Sequence, residues 1–261
     1  MFFVGGFYTN TFVASLDGDN KKTVMVATQK IDTPKELKLR GMPNTAAEFN
    51  KANTALINIS SSNASFKKAK NIFLLDQIHS NKFIYIDEKY KNKKKPKADA
   101  IITNQKYLPI AVLTADCSPI LIYDDKREII AAIHAGWKGA YKDIINKVIK
   151  FMIKKGCKLN NITAAIGPSI SIKNYEVKED FKKKFIKKDK KNLMFFKINK
   201  KKLYFDLTSY IYTSLKKNGV KYIDVLKVDT FDIKHKFFSA RRALKLKHND
   251  YGRNISIIMI N

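Results

Sequence analysis

Cys117 and His134 are the residues whose types and spacing most directly suggest chemistry in this 261-residue sequence. They bracket ADCSPILIYDDKREIIAAIHAGWKG (115–139), in which two apolar runs flank a charged turn and the imidazole is followed by Gly136, the chain's one Trp and Gly139. With the turn at Asp124-Asp125-Lys126-Arg127, the runs 119–123 and 128–134 form an antiparallel hairpin. Opposed residues in such a pair share a constant index sum, which is 251 for 124 with 127 and again for 117 with 134. Directly opposed side chains share a face, with Cα atoms roughly 4.5–5.5 Å apart. The spacing therefore predicts that Cys117 and His134 are neighbours.

Two chemistries use such a pair. A thiolate and an imidazole can hold zinc, or His134 can serve as base for a nucleophilic Cys117. The glycines after His134 let backbone approach a ligand and present helix N-terminal amides to an anion. A catalytic zinc site needs a third protein ligand. Among the other histidines, His79 follows an apolar run in LLDQIHS, whereas His235 and His248 lie in lysine-rich surroundings. His79 is the choice. Zinc is the expected ion, with copper second. Four histidines are too few for the blue and trinuclear coppers of a conventional multicopper oxidase.

The elements that must position these residues are short apolar runs bounded by charge, Gly, Pro or Asn, at 72–75, 83–86, 108–113, 119–123, 128–134, 162–166, 222–228 and 255–260. Helical periodicity marks Ala140–Lys154, Glu179–Lys188 and Leu207–Lys217, with a further helix near Ala46–Leu56. The pattern reads as one mixed α/β domain over 1–261 with antiparallel hairpins.

A hydrophobic content of 45% can build a large core. No secretory signal or membrane span is read, and two cysteines give at most one disulfide, so a cytoplasmic home with reduced thiols is expected. The net charge of +28 invites a nucleic-acid reading, but only five of the 51 basic residues are Arg. Lysine is the less discriminating cation, and runs such as KNKKKPK (91–97), FKKKFIKKDKK (181–191) and KINKKK (197–202) read as solvated loops and helix faces. A general attraction for anions remains, with no specific nucleic-acid or membrane partner.

The segments QIHS (77–80), ADA (98–100), TADCSPILIYD (114–124), AAIHAGWKG (131–139), IGPSI (166–170), YEV (175–177), FDL (205–207), FFSARR (237–242) and GR (252–253) resemble, in order, those of the YfiH-type family. That family has long been labelled polyphenol oxidase or laccase-domain and is now regarded as zinc-dependent purine nucleoside phosphorylases. The resemblance implies an α/β (α+β) fold of two stacked mixed sheets flanked by helices, a four-layer sandwich like that of some toxin deamidases. It also implies zinc on His79, Cys117 and His134, phosphorolysis of adenosine, inosine, guanosine and methylthioadenosine, and deamination of adenosine. Its partners would be purine nucleosides and phosphate, acting on a monomer or small homo-oligomer. Lys138, Arg241 and Arg242 are the candidate phosphate ligands, and Gln77 joins them in the candidate substrate-binding set. Gln77 and Asp116, polar residues beside the metal ligands, are candidates to orient an imidazole or a water, Asp116 in a catalytic role. The chain departs from the family pattern at Asp229 (Cys), Ala240 (Tyr) and Tyr251 (Thr).

Overall fold

The computed structural model describes residues 72–91, 95–248 and 251–260, together with the strand backbone of 14–15 and 25–31. Two sheets stack. One is antiparallel throughout, in the order β1 (Ala14–Ser15), β2 (Met25–Ile31), β13 (Arg253–Met259), β5 (Ile110–Thr114). The other is mixed, in the order β12 (Tyr222–Val225), β8 (Ile162–Ile166), β6 (Ser118–Asp124), β7 (Ile129–Ala135), β4 (Ala100–Thr103), β3 (Phe83–Ile86). Its outer pairs, β12–β8 and β3–β4, are parallel and its inner pairs antiparallel. A small third sheet joins β9 (Glu176–Val177), β10 (Phe196–Asn199) and β11 (Lys202–Phe205).

Strand parity explains the stacking. In β7 Ile129, Ala131 and Ile133 face one core, while Ile130 and Ala132 face another. In β6 Ile120 and Ile122 share the first core, and Leu121 and Tyr123 the second. Ile110, Val112 and Ile258 from the four-stranded sheet enter that second core, so it lies between the sheets. Strands buried on both faces need continuous apolar runs, which is why 119–123 and 128–134 lack polar alternation.

Helices cover the other face of the six-stranded sheet. They are α1 (Trp137–Tyr141), α2 (Ile144–Lys154), α3 (Glu179–Lys188) and α4 (Leu207–Lys217), all contributing to the first core, while a fifth helix, α5 (Ala240–Lys245), lies between β12 and β13 in the chain. The α3 and α4 bounds match the periodicity. The helix expected over Ala140–Lys154 is two, broken at Asp143, whose left-handed backbone (φ 63°) interrupts the helical path. Run 72–75 forms isolated bridges, Phe73 with Ile110 and, just beyond it, Asp76 with Lys97, rather than a strand. The 181–191 run does supply the solvated face of α3, but 197–202 forms the β10–β11 hairpin through Lys200 and Lys201, both at positive φ. The helix near 46–56 lies outside the described residues.

Phe185 is the buried anchor of α3, with ring centroids 4.7 Å from Phe205, 4.8 Å from Phe181 and 5.1 Å from Tyr210. Truncating it opens a cavity among five other rings. Phe185→Ala should lower stability by about 3–5 kcal/mol in urea denaturation; a loss under 1 kcal/mol would mean that the cluster does not anchor α3.

Candidate metal centre

The hairpin register differs from the expectation. Pro119 pairs with His134 and Asp124 with Ile129, so the turn runs through 125–128 and the pairing is shifted by two residues. The carboxylate of Asp124 causes the shift by accepting the amides of Lys126 (3.0 Å) and Arg127 (2.9 Å), which makes Asp124 the last strand residue rather than part of the turn. A two-residue shift preserves the face. Cys117, just before β6, is thus diagonal to His134 rather than opposite it, and the two are still neighbours.

His79, Cys117 and His134 come together, with all three donor atoms within 4.8 Å of one another. Cys117 Sγ lies 3.8 Å from His79 Nε2, and the imidazole centroids are 4.7 Å apart. Each arrives on a different element: His79 on the loop before β3, Cys117 on the crossover from β5 to β6, and His134 near the end of β7.

Asp99, fully buried, holds two of the three. Its carboxylate accepts the His79 amide at 2.9 Å, the Ser80 amide and hydroxyl at 2.5 and 2.7 Å, and His134 Nδ1–H at 2.8 Å. Its carbonyl accepts the His134 amide at 2.7 Å. The Nδ1–H bond fixes the tautomer and leaves the Nε2 lone pair of the neutral ring as the atom that would ligate a metal beside Cys117. Burial alone would raise the Asp99 carboxyl, but the bonds from His134 and Ser80 hold it below the usual carboxylate range. They also hold His79 in a left-handed conformation, φ 55°, where a non-glycine residue is strained.

Burial opposes ionisation of the Cys117 thiol, yet the neighbouring His134 and His79 pull it well below the ordinary thiol range. His134 moves the other way: burial resists its charge, and Cys117 and Asp99 raise it. The pair favours the thiolate, the form of Cys117 that ligates metal, and a bound ion would displace the proton that His134 holds in its absence. Donors on a tetrahedral zinc with bonds of about 2.0–2.3 Å lie roughly 3.3–3.6 Å apart. Closing up from 4.8 Å takes small side-chain movements, and the set fits zinc. Gly136 makes the approach possible, because a Cβ there would lie 2.7 Å from Cys117 Sγ and 3.2 Å from the His79 ring.

The other expected residues have different occupations. The Gln77 amide pairs with the Leu113 backbone in both directions, at 2.7 and 2.8 Å, and so pins the His79 loop to β5. It acts on the loop rather than on an imidazole. The Asp116 carboxylate accepts the Thr230 hydroxyl (2.7 Å) and the Arg241 amide (2.6 Å), capping α5 and supporting its own positive φ of 81°. Both its oxygens are engaged away from the donors. Arg242 donates to the carbonyls of Thr230, Phe231 and Phe237, so its guanidinium clamps a loop instead of offering itself to phosphate. Lys138 is exposed, 5.8 Å from the centroid of the Trp137 ring. Arg241 bonds the Glu176 carbonyl at 2.8 Å and lies over the Tyr175 ring. Burial raises the Tyr175 hydroxyl, and Cys117 adds to the shift.

A cavity of 210 Å³ opens beside the trio, and Gln77, Thr114, Tyr251 and Arg253 line it with the three donors. Sequence reasoning passed over Asp99, Thr114 and Arg253 as site residues. The available signals were a lone acid ahead of an apolar run in ADAII and the scarcity of arginine. Asp229, the departure from the family Cys, organises a neighbouring loop by accepting from Ser171, Asn174 and the Phe231 amide.

A family model described as multi-copper polyphenol oxidoreductase laccase matches residues 48–261. The chain belongs to this family. A purine nucleoside phosphorylase of Rickettsia conorii is 37% identical over 204 residues, 77% of this chain and 83% of its own. A namesake from Rickettsia prowazekii is 37% identical over 195 residues, 74% and 80% of the two chains. A Neisseria meningitidis protein of known structure matches with a TM-score of 0.75 at 23% identity, over 97% of this chain and 99% of that one. Bacillus licheniformis YfiH matches with a TM-score of 0.75 at 21% identity, over 90% and 92%. These structures share the fold of the laccase family member described here. Among the described residues the trio is the one group of at least three candidate metal donors, a far smaller set than several coppers require. No described helix is long and apolar enough to cross a membrane.

Two outcomes follow from this geometry. In chelator-treated protein at neutral pH, iodoacetamide should label Cys117 and added zinc should protect it. Cys157, whose thiol burial and Asp124 push up to about 12, should react only after unfolding. Mass mapping of the adducts checks both, and equal labelling of the two thiols would contradict the electrostatics. Gly136→Ala should weaken zinc binding at least tenfold in a chelator competition while leaving the fold intact by circular dichroism, because the new methyl displaces Sγ.

Proposed function

We propose that this chain is a zinc-dependent purine nucleoside phosphorylase that cleaves adenosine, inosine, guanosine and methylthioadenosine and also deaminates adenosine. The carrying observation is the His79–Cys117–His134 trio facing a cavity, in a chain whose relatives at 37% identity are named purine nucleoside phosphorylase. Three protein donors beside a cavity is the composition of a catalytic rather than a structural zinc site. Zinc bound there supplies Lewis acidity at the reacting end of the substrate.

The chain's own residues do the rest. Asp99 holds His134 in one tautomer and the His79 loop in one conformation. Gln77 keeps that loop against β5. Arg241 and the exposed Lys138 add positive potential for an incoming anion. In phosphorolysis an oxygen of phosphate forms a bond to ribose C1′ as the C1′–N9 bond breaks. The purine leaves with that electron pair and takes a proton from solvent, and ribose 1-phosphate remains. In deamination water adds at C6 and ammonia leaves, giving inosine.

A second reading draws on the Asp99–His134 hydrogen bond next to Cys117. This is the order of groups in a cysteine amidase, with Cys117 as nucleophile and His134 as oriented base; peptidoglycan precursors would be its substrate class.

Zinc-loaded protein incubated with adenosine, with and without phosphate, separates the readings by chromatography. Adenine and ribose 1-phosphate should form only with phosphate, inosine should form in both, and Cys117→Ala should lose both activities with its zinc. Absence of all three products would overturn the proposal, and turnover of an amide substrate by metal-free protein would establish the second reading.

A further inference from the structure

Thr114 is 2% exposed, its hydroxyl has no hydrogen-bond partner, and it lines the cavity beside the metal trio. A buried hydroxyl left unpaired is costly, so native folds keep few of them. Arg253, the one arginine on the wall, lines the same cavity. One nitrogen of that guanidinium donates to the carbonyls of Tyr251 (2.5 Å) and Gly252 (3.3 Å), and its Cζ lies over the Tyr251 ring, 4.0 Å from the centroid. Carbonyl anchors and a stacked ring hold the cation in one place, an arrangement suited to a planar fork that must meet oxyanion oxygens.

We propose that Thr114 and Arg253 form the phosphate subsite of the reaction, Arg253 supplying the charge and Thr114 a hydroxyl donor to a phosphate oxygen. This rests on the phosphorylase reading and places the direct anion contact on a cation of the cavity wall, leaving Arg241 and Lys138 as contributors of potential only. Thr114 ends β5 and pairs with Asn254, so alternation along β13 turns Arg253 to the other face of the sheet, and the two residues reach the cavity from opposite sides of the strand ends. At 210 Å³ the cavity is below the roughly 300–1,000 Å³ of sites that enclose a drug-sized ligand. It suits a phosphate and the ribose carbon it attacks, with the purine extending outward. Asp76 lines the same cavity and is half-buried, so its opposing charge is partly screened by solvent.

The test uses the zinc-loaded full chain and inorganic phosphate as the probe. Thr114→Val keeps the shape and removes the hydroxyl, and Arg253→Gln removes the charge. By titration calorimetry, Thr114→Val should weaken phosphate binding about tenfold and Arg253→Gln about a hundredfold, with zinc content unchanged. In steady state the KM for phosphate should rise by similar factors, while the KM for the nucleoside moves less than threefold. Arg253→Lys should recover part of the phosphate affinity, which a purely structural role would not produce. Phosphate binding unchanged in both variants would overturn the subsite. A wild-type protein that binds phosphate through these residues yet leaves adenosine uncleaved would count against the phosphorylase reading and leave the subsite standing.

Discussion

The buried carboxylate of Asp99 is the interaction on which the centre depends. One side chain engages the backbone ahead of β3, the hydroxyl of Ser80 and the ring of His134. A charge in so dry a position is tolerable only when its lone pairs are filled, and four donors fill them. The same bonds set the tautomer of one imidazole and the backbone of the other. Replacing the carboxylate would release both at once, so the centre is coupled rather than a sum of three independent ligands.

The stacked sheets make that coupling rigid. Side chains of β6 and β7 face two cores, and apolar residues of β5 and β13 close the inter-sheet layer. Cys117 lies where the chain leaves one sheet for the other, and Gln77 ties the His79 loop to β5 on the same side. The lysine-rich surface takes little part, since the cation on the cavity wall is one of the chain's five arginines.

Much of this was legible in the sequence, for reasons specific to each element. Long apolar runs with turn residues between them specified β6, β7 and β8, and the four-residue spacing of Leu207, Ile211 and Leu215 specified α4. The neighbourhood of Cys117 and His134 followed from parity alone, which explains how a register two residues out still brought them together. The turn itself was illegible because a side chain, Asp124, decides where it begins. β4 was hidden because only four buried residues separate Asp99 from a polar loop, and β10 because its residues beyond Phe196 are exposed and carry no apolar pattern. Asp116, Gln77 and Arg242 lie in the right segments, but whether a polar side chain serves a ligand or its own backbone depends on contacts distant in sequence.

The division of the donors among three elements has a consequence for biosynthesis. No hairpin, helix or single sheet of this chain contains the whole seat for an ion. Cys117 acquires its position only when β5 has paired with the C-terminal β13 and β6 with β7. The β6–β7 hairpin is local, but the pairing of β5 with β13 joins distant parts of the sequence, and such long-range pairing is late and slow in folding. The nascent chain therefore offers passing metals only scattered, weak ligands, and selection among ions is deferred until the completed architecture can impose coordination number and shape.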